Sequence, residues 1–248
     1  MPYSAGQLAK MIDHSLLHPT MTDKDLEEGC AVALHYHTAS VCVKPYAVRR
    51  AAEILRGSDV LVCTVIGFPH GGQQTGIKIA ETRQACLDGA KEIDMVVNIG
   101  KVKGGDWEYV RQEIDAINKE SLTHGAIVKV IFENDYLTDE EKVELCKICS
   151  GIPVAFVKTS TGYGFVKGTD GRFSTRGATI PDLELMRKNC PPTIQVKAAG
   201  GVRTLSEMLK AIAAGATRIG ATATQAILDE AANGAGNATV APGKDSGY

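Results

Sequence analysis

Apolar and polar positions along this chain fall into two alternating rhythms. Short runs rich in β-branched and aliphatic residues, bounded by glycine, proline or charge, occur at Thr38 to Lys44, Asp59 to Phe68, Glu92 to Asn98, Ala126 to Glu133, Ala155 to Ser160, Thr193 to Ala199 and Arg218 to Gly220. Between them lie stretches with helical spacing of apolar residues: Tyr46 to Leu55, Thr75 to Leu87, Trp107 to Ser121 and Thr138 to Cys149. Further helix starts fall near Pro181, Thr204 and Thr224. A short first strand at Lys10 to Asp13 brings the number of βα units to eight. Near-continuous apolar strands separated by amphipathic helices imply a parallel sheet covered by helices. Eight such units predict a closed (β/α)8 barrel, the TIM-barrel architecture of the α/β class. A doubly wound open sheet is the second possibility.

Two stretches break the rhythm. Gly162 to Gly177 is long and rich in glycine and charge, which predicts a mobile loop over the top of the barrel. Residues 233–248, from Asn233 to Tyr248, are dominated by small and polar residues and are expected to form a flexible tail. The predicted organisation is therefore one barrel domain over residues 1–232 followed by that tail.

A chain of 248 residues with 44% hydrophobic content supplies the large core that this fold needs. A formal charge of -2, with 27 dispersed basic residues, offers no footprint for nucleic acid. No signal peptide or membrane-spanning run is visible. Seven scattered cysteines read as reduced thiols, so the expected compartment is the cytoplasm. The formal C-x-x-C at Cys146 and Cys149 falls inside a helical pattern, away from the helix start that a redox pair uses. Gly71 to Lys78 is a near miss for a phosphate-binding P-loop and reads as a loop and a helix start.

The anomaly is charge in strands. Asp13, Lys44, Asp94, Lys129, Glu133, Lys158 and Lys197 fall near the carboxyl ends of strand-like runs, where lysine is a poor fit. One such lysine could snorkel to the rim. Several on different strands point to the face from which barrel active sites are assembled. A free lysine has a pKa of ~10.4, so only about one in 2,500 is neutral at pH 7. Partial burial and a second ammonium both raise that fraction. Lys158 and Lys197 could do this to one another, with a carboxylate such as Asp94 moving protons. Spacing alone does not say which lysine is the nucleophile.

Four segments carry a resemblance. Cys63 to Pro69 (CTVIGFP), Glu92 to Asn98 (EIDMVVN), Val157 to Gly162 (VKTSTG) and Val196 to Thr204 (VKAAGGVRT) resemble, in this order, the deoxyribose-phosphate aldolase family. The likeness runs from about residue 7 to 229. It implies a class I aldolase that cleaves 2-deoxy-D-ribose 5-phosphate to glyceraldehyde 3-phosphate and acetaldehyde, without metal or other cofactor. It further implies that Lys158 forms the Schiff base, that Lys197 perturbs it and that Asp94 is the main acid/base. Asp13 would support Lys197. The resemblance also implies that Tyr248, at the end of the tail, reaches the site and assists proton transfer.

For phosphate, the loops after the seventh and eighth strands are the expected cradle. Gly200, Gly201, Gly220 and Thr222 would present backbone N–H groups there, with Thr161 and Gly162 on the same face. A blander reading is that the glycines only make tight turns. The chain departs from the family pattern at Ala223, where a hydroxyl is common, and at Tyr163, where some relatives carry lysine. Lys167, Arg172 and Arg176 of the long loop could compensate.

His14, His18 and His70 raise a metal-dependent aldolase, but His18 precedes Pro19 in a turn and lacks helical ligand geometry. The residues also admit a sugar-phosphate lyase or isomerase without covalent catalysis, or a barrel kept as a binding subunit. Expected partners are a sugar phosphate and an aldehyde; no nucleic acid or membrane is expected. A homodimer is possible, with no signal for it in the residues.

Overall fold

The computed structural model describes residues 3–233; Met1, Pro2 and residues 234–248, Tyr248 among them, lie outside the described residues. The strands are β1 (Ile12–Leu16), β2 (Ser40–Val43), β3 (Leu61–Ile66), β4 (Glu92–Val96), β5 (Ile127–Ile131), β6 (Phe156–Lys158), β7 (Val166–Lys167), β8 (Phe173–Ser174), β9 (Gln195–Ala199) and β10 (Arg218–Ala221). Eight of them close a barrel in the order β1-β10-β9-β6-β5-β4-β3-β2, and every neighbouring pair is parallel. This is the predicted (β/α)8 architecture.

The long helices are α2 (Asp23–Tyr36), α3 (Val48–Ile54), α4 (Thr75–Asp88), α6 (Trp107–Thr123), α7 (Asp139–Gly151), α8 (Ile180–Asn189), α9 (Leu205–Ala213) and α10 (Thr224–Asn233), with short α1 (Ala5–Ala9) and α5 (Ile99–Lys103) beside them. Local chemistry starts several of them. Thr22 with Asp25, Thr138 with Glu141 and Thr204 with Glu207 form reciprocal capping boxes that satisfy the first free amides of α2, α7 and α9. Replacing Thr22 by alanine would cost about 1 kcal/mol.

Outward strand residues such as Ile93, Met95, Val130 and Val196 pack under the helices in one large apolar cluster. Each such side chain is worth about 1.5–3 kcal/mol of burial. The inward faces are different, since alternate residues point into the barrel. A barrel interior is usually filled by branched aliphatic side chains. Here it holds Asp13, Glu92, Asp94, Lys129 and Lys197, all buried.

The structure moves three expectations. The first strand is Ile12–Leu16, because a Ser4/Gln7 capping box begins α1 and Lys10 caps its end. Helix α2 fills the gap that the sequence pattern left before Thr38. The segment from Gly162 to Gly177 holds a small antiparallel hairpin, β7 paired with β8, tied back where the Tyr136 hydroxyl accepts from Phe165 N–H. Cys146 and Cys149 are buried within α7, as a helix-face reading requires. Among the described residues no helix is long and apolar enough to cross a membrane.

Candidate active site

The centre of the site is Asp94, buried in the middle of β4. Its Oδ2 accepts from Lys158 Nζ at 2.8 Å and from Lys197 Nζ at 2.7 Å, while Oδ1 accepts from Lys129 Nζ at 2.7 Å. Lys158 ends β6 and Lys197 lies in β9, and the two are register partners. Asp13 on β1 accepts from Ser40 and ion-pairs with Lys197 at 2.5 Å and with Arg218 at 2.5 Å. Below, Glu92 holds Lys129 at 2.6 Å and Arg218 at 3.0 Å. Phe156 lies alongside, 5.1 Å from the Arg218 guanidinium.

The electrostatics follow from these distances. Burial pushes the Asp94 carboxyl up, but Lys129, Lys158 and Lys197 together hold it well below the usual carboxylate range. Asp13 is likewise raised by burial and brought far lower by Lys129, Lys197 and Arg218. Burial disfavours the Lys197 and Lys129 ammonium groups, yet the surrounding carboxylates carry both above the ordinary lysine value. Three carboxylates thus face four cations (Lys129, Lys158, Lys197 and Arg218). Among the described residues Lys158 is the one of these cations paired with a single carboxylate.

Above this cluster opens a cavity of about 410 Å³ lined by Lys158, Lys197 and Asp13 at its floor. Its walls include Thr161, Gly162, Gly200, Gly201, Gly220 and Thr222, so the structure gathers these sequence-predicted phosphate residues around one opening. Thr161 is held by Glu133, whose carboxylate accepts from the Thr161 amide and from its hydroxyl. Glu133 adopts a left-handed backbone in this position, φ 58°, at a cost in strain. On another wall Leu17, Cys42 and Tyr163 give an apolar surface, with Phe68 against Tyr163 at 5.5 Å between ring centres.

Several expectations are corrected. Lys129 is not at the rim; it is fully buried beneath Asp94 and does not line the cavity. Lys44 is a structural tie, donating to the carbonyls of His18 and Met21. The start of α9 is not an open anion cradle, because the Glu207 carboxylate already accepts from the amides of Arg203 and Thr204. Of the long-loop cations only Arg176 lines the cavity; Lys167 and Arg172 do not. Ala223 packs against the apolar core, and Thr222 faces the opening instead.

Sequence reasoning missed Arg218 and Glu92. The signal was available, since both are charges inside strand-like runs, the same anomaly that exposed Lys158. His14 and His18 do not converge on a metal: His14 Nδ1 bonds Thr224 and His18 Nδ1 bonds Thr20. Cys42, Cys63 and Asp94 do come within ligand distance of one another. An ion there would meet Lys129, which already donates to both Cys63 and Asp94.

Comparison with known proteins agrees with this geometry. Residues 7–238 match the model of the DeoC/LacD family of aldolases. A deoxyribose-phosphate aldolase of Rhodopirellula baltica is 49% identical over 229 residues, covering 92% of this chain and 91% of that protein. One from Clostridium perfringens is 47% identical over 90% of this chain and 95% of its own length. The solved tetrameric deoxyribose phosphate aldolase of Aeropyrum pernix superimposes with a TM-score of 0.82 at 28% identity, covering 92% of each chain. The eight-stranded barrel with a buried lysine–aspartate cluster at its mouth therefore belongs to the DeoC/LacD family of aldolases.

Proposed function

We propose that this chain cleaves 2-deoxy-D-ribose 5-phosphate reversibly to D-glyceraldehyde 3-phosphate and acetaldehyde through a Schiff base on Lys158. The observation that carries the reading is Asp94 Oδ2, shared by the ammonium groups of Lys158 and Lys197 at the floor of the cavity. In this reading the neutral Lys158 amine attacks C1 of the open-chain sugar, and the carbinolamine loses water to give an iminium. Loss of the proton from the C3 hydroxyl breaks the C2–C3 bond, releasing glyceraldehyde 3-phosphate and leaving an enamine. Protonation of its methylene carbon and hydrolysis return acetaldehyde and free lysine.

Asp94 lies in hydrogen-bond reach of both lysines, so it is placed to relay protons in these steps. Lys197 keeps its charge through Asp13 and Asp94, and supplies the positive field beside the nucleophile. Thr161, Gly162, Gly200, Gly201, Gly220 and Thr222 would surround the sugar phosphate. Tyr248 would assist protonation of the enamine carbon. All seven cysteines are free thiols, which fits action in the cytoplasm, and assembly as a homodimer is part of the proposal.

Mass spectrometry after borohydride reduction in acetaldehyde tests the reading. One ethyl group on Lys158 is expected. Labelling at Lys197, or no label in an active enzyme, would overturn it and favour non-covalent chemistry.

A further inference from the structure

The cavity has its charges at the bottom and needs another at the top if its substrate carries a phosphate. Lys158 and Lys197 are committed to Asp94 and Asp13. Tyr163, which follows Gly162, brings an aromatic ring turned toward Phe68 and no positive charge. Arg203 lines the rim next to Glu207, and the attraction between them helps hold the Glu207 carboxyl below its usual value.

Arg176 is differently placed. It lines the same cavity with a side chain 61% exposed. Among the described residues its guanidinium donates no hydrogen bond, the Asp135 carboxylate being 3.7 Å from Nε. Its backbone, by contrast, is fixed. Asp135 Oδ2 accepts from Arg176 N at 2.7 Å, from Gly177 N at 3.4 Å and from the Thr175 hydroxyl at 3.0 Å. The next residues run directly over the glycine turn after β9, where Ala178 N donates to Gly200 O at 3.0 Å. The approach is so close that a Cβ on Gly177 would stand 2.5 Å from Gly200 O. Only glycine fits there, and φ is +64°. The anchored backbone thus delivers a five-donor fork beside Gly200 and Gly201.

We propose that Arg176 is the specificity-determining cation that reads the 5-phosphate of the substrate, with Asp135 as the positioning residue that holds its backbone against the Gly200–Gly201 turn. The inference rests on the function proposed above and adds a residue to it. A guanidinium pairs two N–H groups with two phosphate oxygens at once, which a point charge does not. Because Arg176 stands on the segment that carries the β7–β8 hairpin, selectivity for phosphate would come from this segment as well as from the glycine turns.

The experiment compares wild type, Arg176→Ala and Arg176→Lys on deoxyribose 5-phosphate and on unphosphorylated 2-deoxyribose. Binding of inorganic phosphate is measured alongside by calorimetry. Arg176→Ala should raise KM for the phosphorylated sugar about tenfold or more, as loss of a charge-assisted contact at a half-open site does, with kcat nearly unchanged. Cleavage of 2-deoxyribose should hold its wild-type kcat/KM, phosphate should bind correspondingly more weakly, and Arg176→Lys should recover part of the loss. An unchanged KM for the phosphorylated sugar, or an equal fall on both sugars, would overturn the inference. Failure of the wild type to cleave deoxyribose 5-phosphate would count against the proposed function instead. The phosphate titration then still decides Arg176, because equal phosphate affinity in wild type and Arg176→Ala would sink it without any turnover.

Discussion

Lys158 and Lys197 stand opposite each other on neighbouring strands and donate to the same oxygen of Asp94, at 2.8 and 2.7 Å. Lys197 also holds Asp13, whereas Lys158 has Asp94 as its single carboxylate partner among the described residues. The two lysines therefore differ in how many carboxylates hold them, two for Lys197 and one for Lys158.

This difference predicts different penalties for two lysine-to-leucine changes. Lys158→Leu removes a cation held by one carboxylate and leaves Asp94 with Lys129 and Lys197, so it should cost only about 1 kcal/mol. It should abolish aldol cleavage. Lys129→Leu strips Glu92 and Asp94 of their shared partner and should cost about 3–5 kcal/mol. Urea denaturation reads both; equal penalties would mean that the number of carboxylates a lysine holds does not set the cost.

Asp94→Asn keeps the shape of the side chain and removes the group that gathers three lysines. The expected fall in kcat is of order 10²–10⁴, the range for loss of a general acid or base. The melting temperature should drop as well, because four cations then face two carboxylates. Near-wild-type kcat would take Asp94 out of the proton relay.

Glu133 tests whether backbone strain and a buried carboxylate contribute separately. Glu133→Ala should cost about 1–3 kcal/mol by leaving the Thr161 amide and hydroxyl without their acceptor. Glu133→Gly loses the same acceptor but accepts φ 58° without the Cβ penalty, so it should be more stable than the alanine variant by about 1 kcal/mol. Equal denaturation midpoints would mean that the strain contributes nothing.

The pH dependence has an identifiable source in His14. Burial against the helix start, where Nδ1 meets Thr224 at 2.8 Å, depresses its pKa to about 4. In the unfolded chain the value returns to about 6.5. Between these values the unfolded state binds the extra proton, so stability is present above pH 6.5 and is lost as pH falls toward 4. The full loss is about 3 kcal/mol. Wild type and His14→Gln should differ in the pH slope of unfolding over this window. Parallel curves would mean that His14 titrates normally in the fold.

Tyr248 lies outside the described residues, and kinetics can address it. Tyr248→Phe should slow exchange of the acetaldehyde methyl protons with solvent far more than it weakens substrate binding. Exchange at the wild-type rate would leave the tail without a part in protonation.

The strands and their ionisable residues were legible because charge in a β-branched run conflicts with its surroundings, and such conflicts mark sites. Depth was not legible. Lys129 and Lys158 look alike in sequence, each following a valine in a strand-like run, but Lys129 sits mid-strand and Lys158 ends its strand. Lys158 pairs with Ile131, two residues beyond Lys129 on β5, and so reaches the cavity while Lys129 does not. Helix α2 was not read from the sequence, although Thr22 and Asp25 form the capping box that starts it. The hairpin over residues 166–174 had no such signal, since each of its strands is two residues long.

Among the described residues that hairpin pairs only with itself and contributes no rung to the barrel sheet. Its length can therefore vary without shifting the rungs that align Lys158 with Lys197, since those belong to β6 and β9. On the roles proposed for Lys158 and Arg176, bond-breaking chemistry and choice of substrate lie on separable stretches of chain. Variation in length between Phe165 and Ser174 would leave the ion cluster beneath as it is.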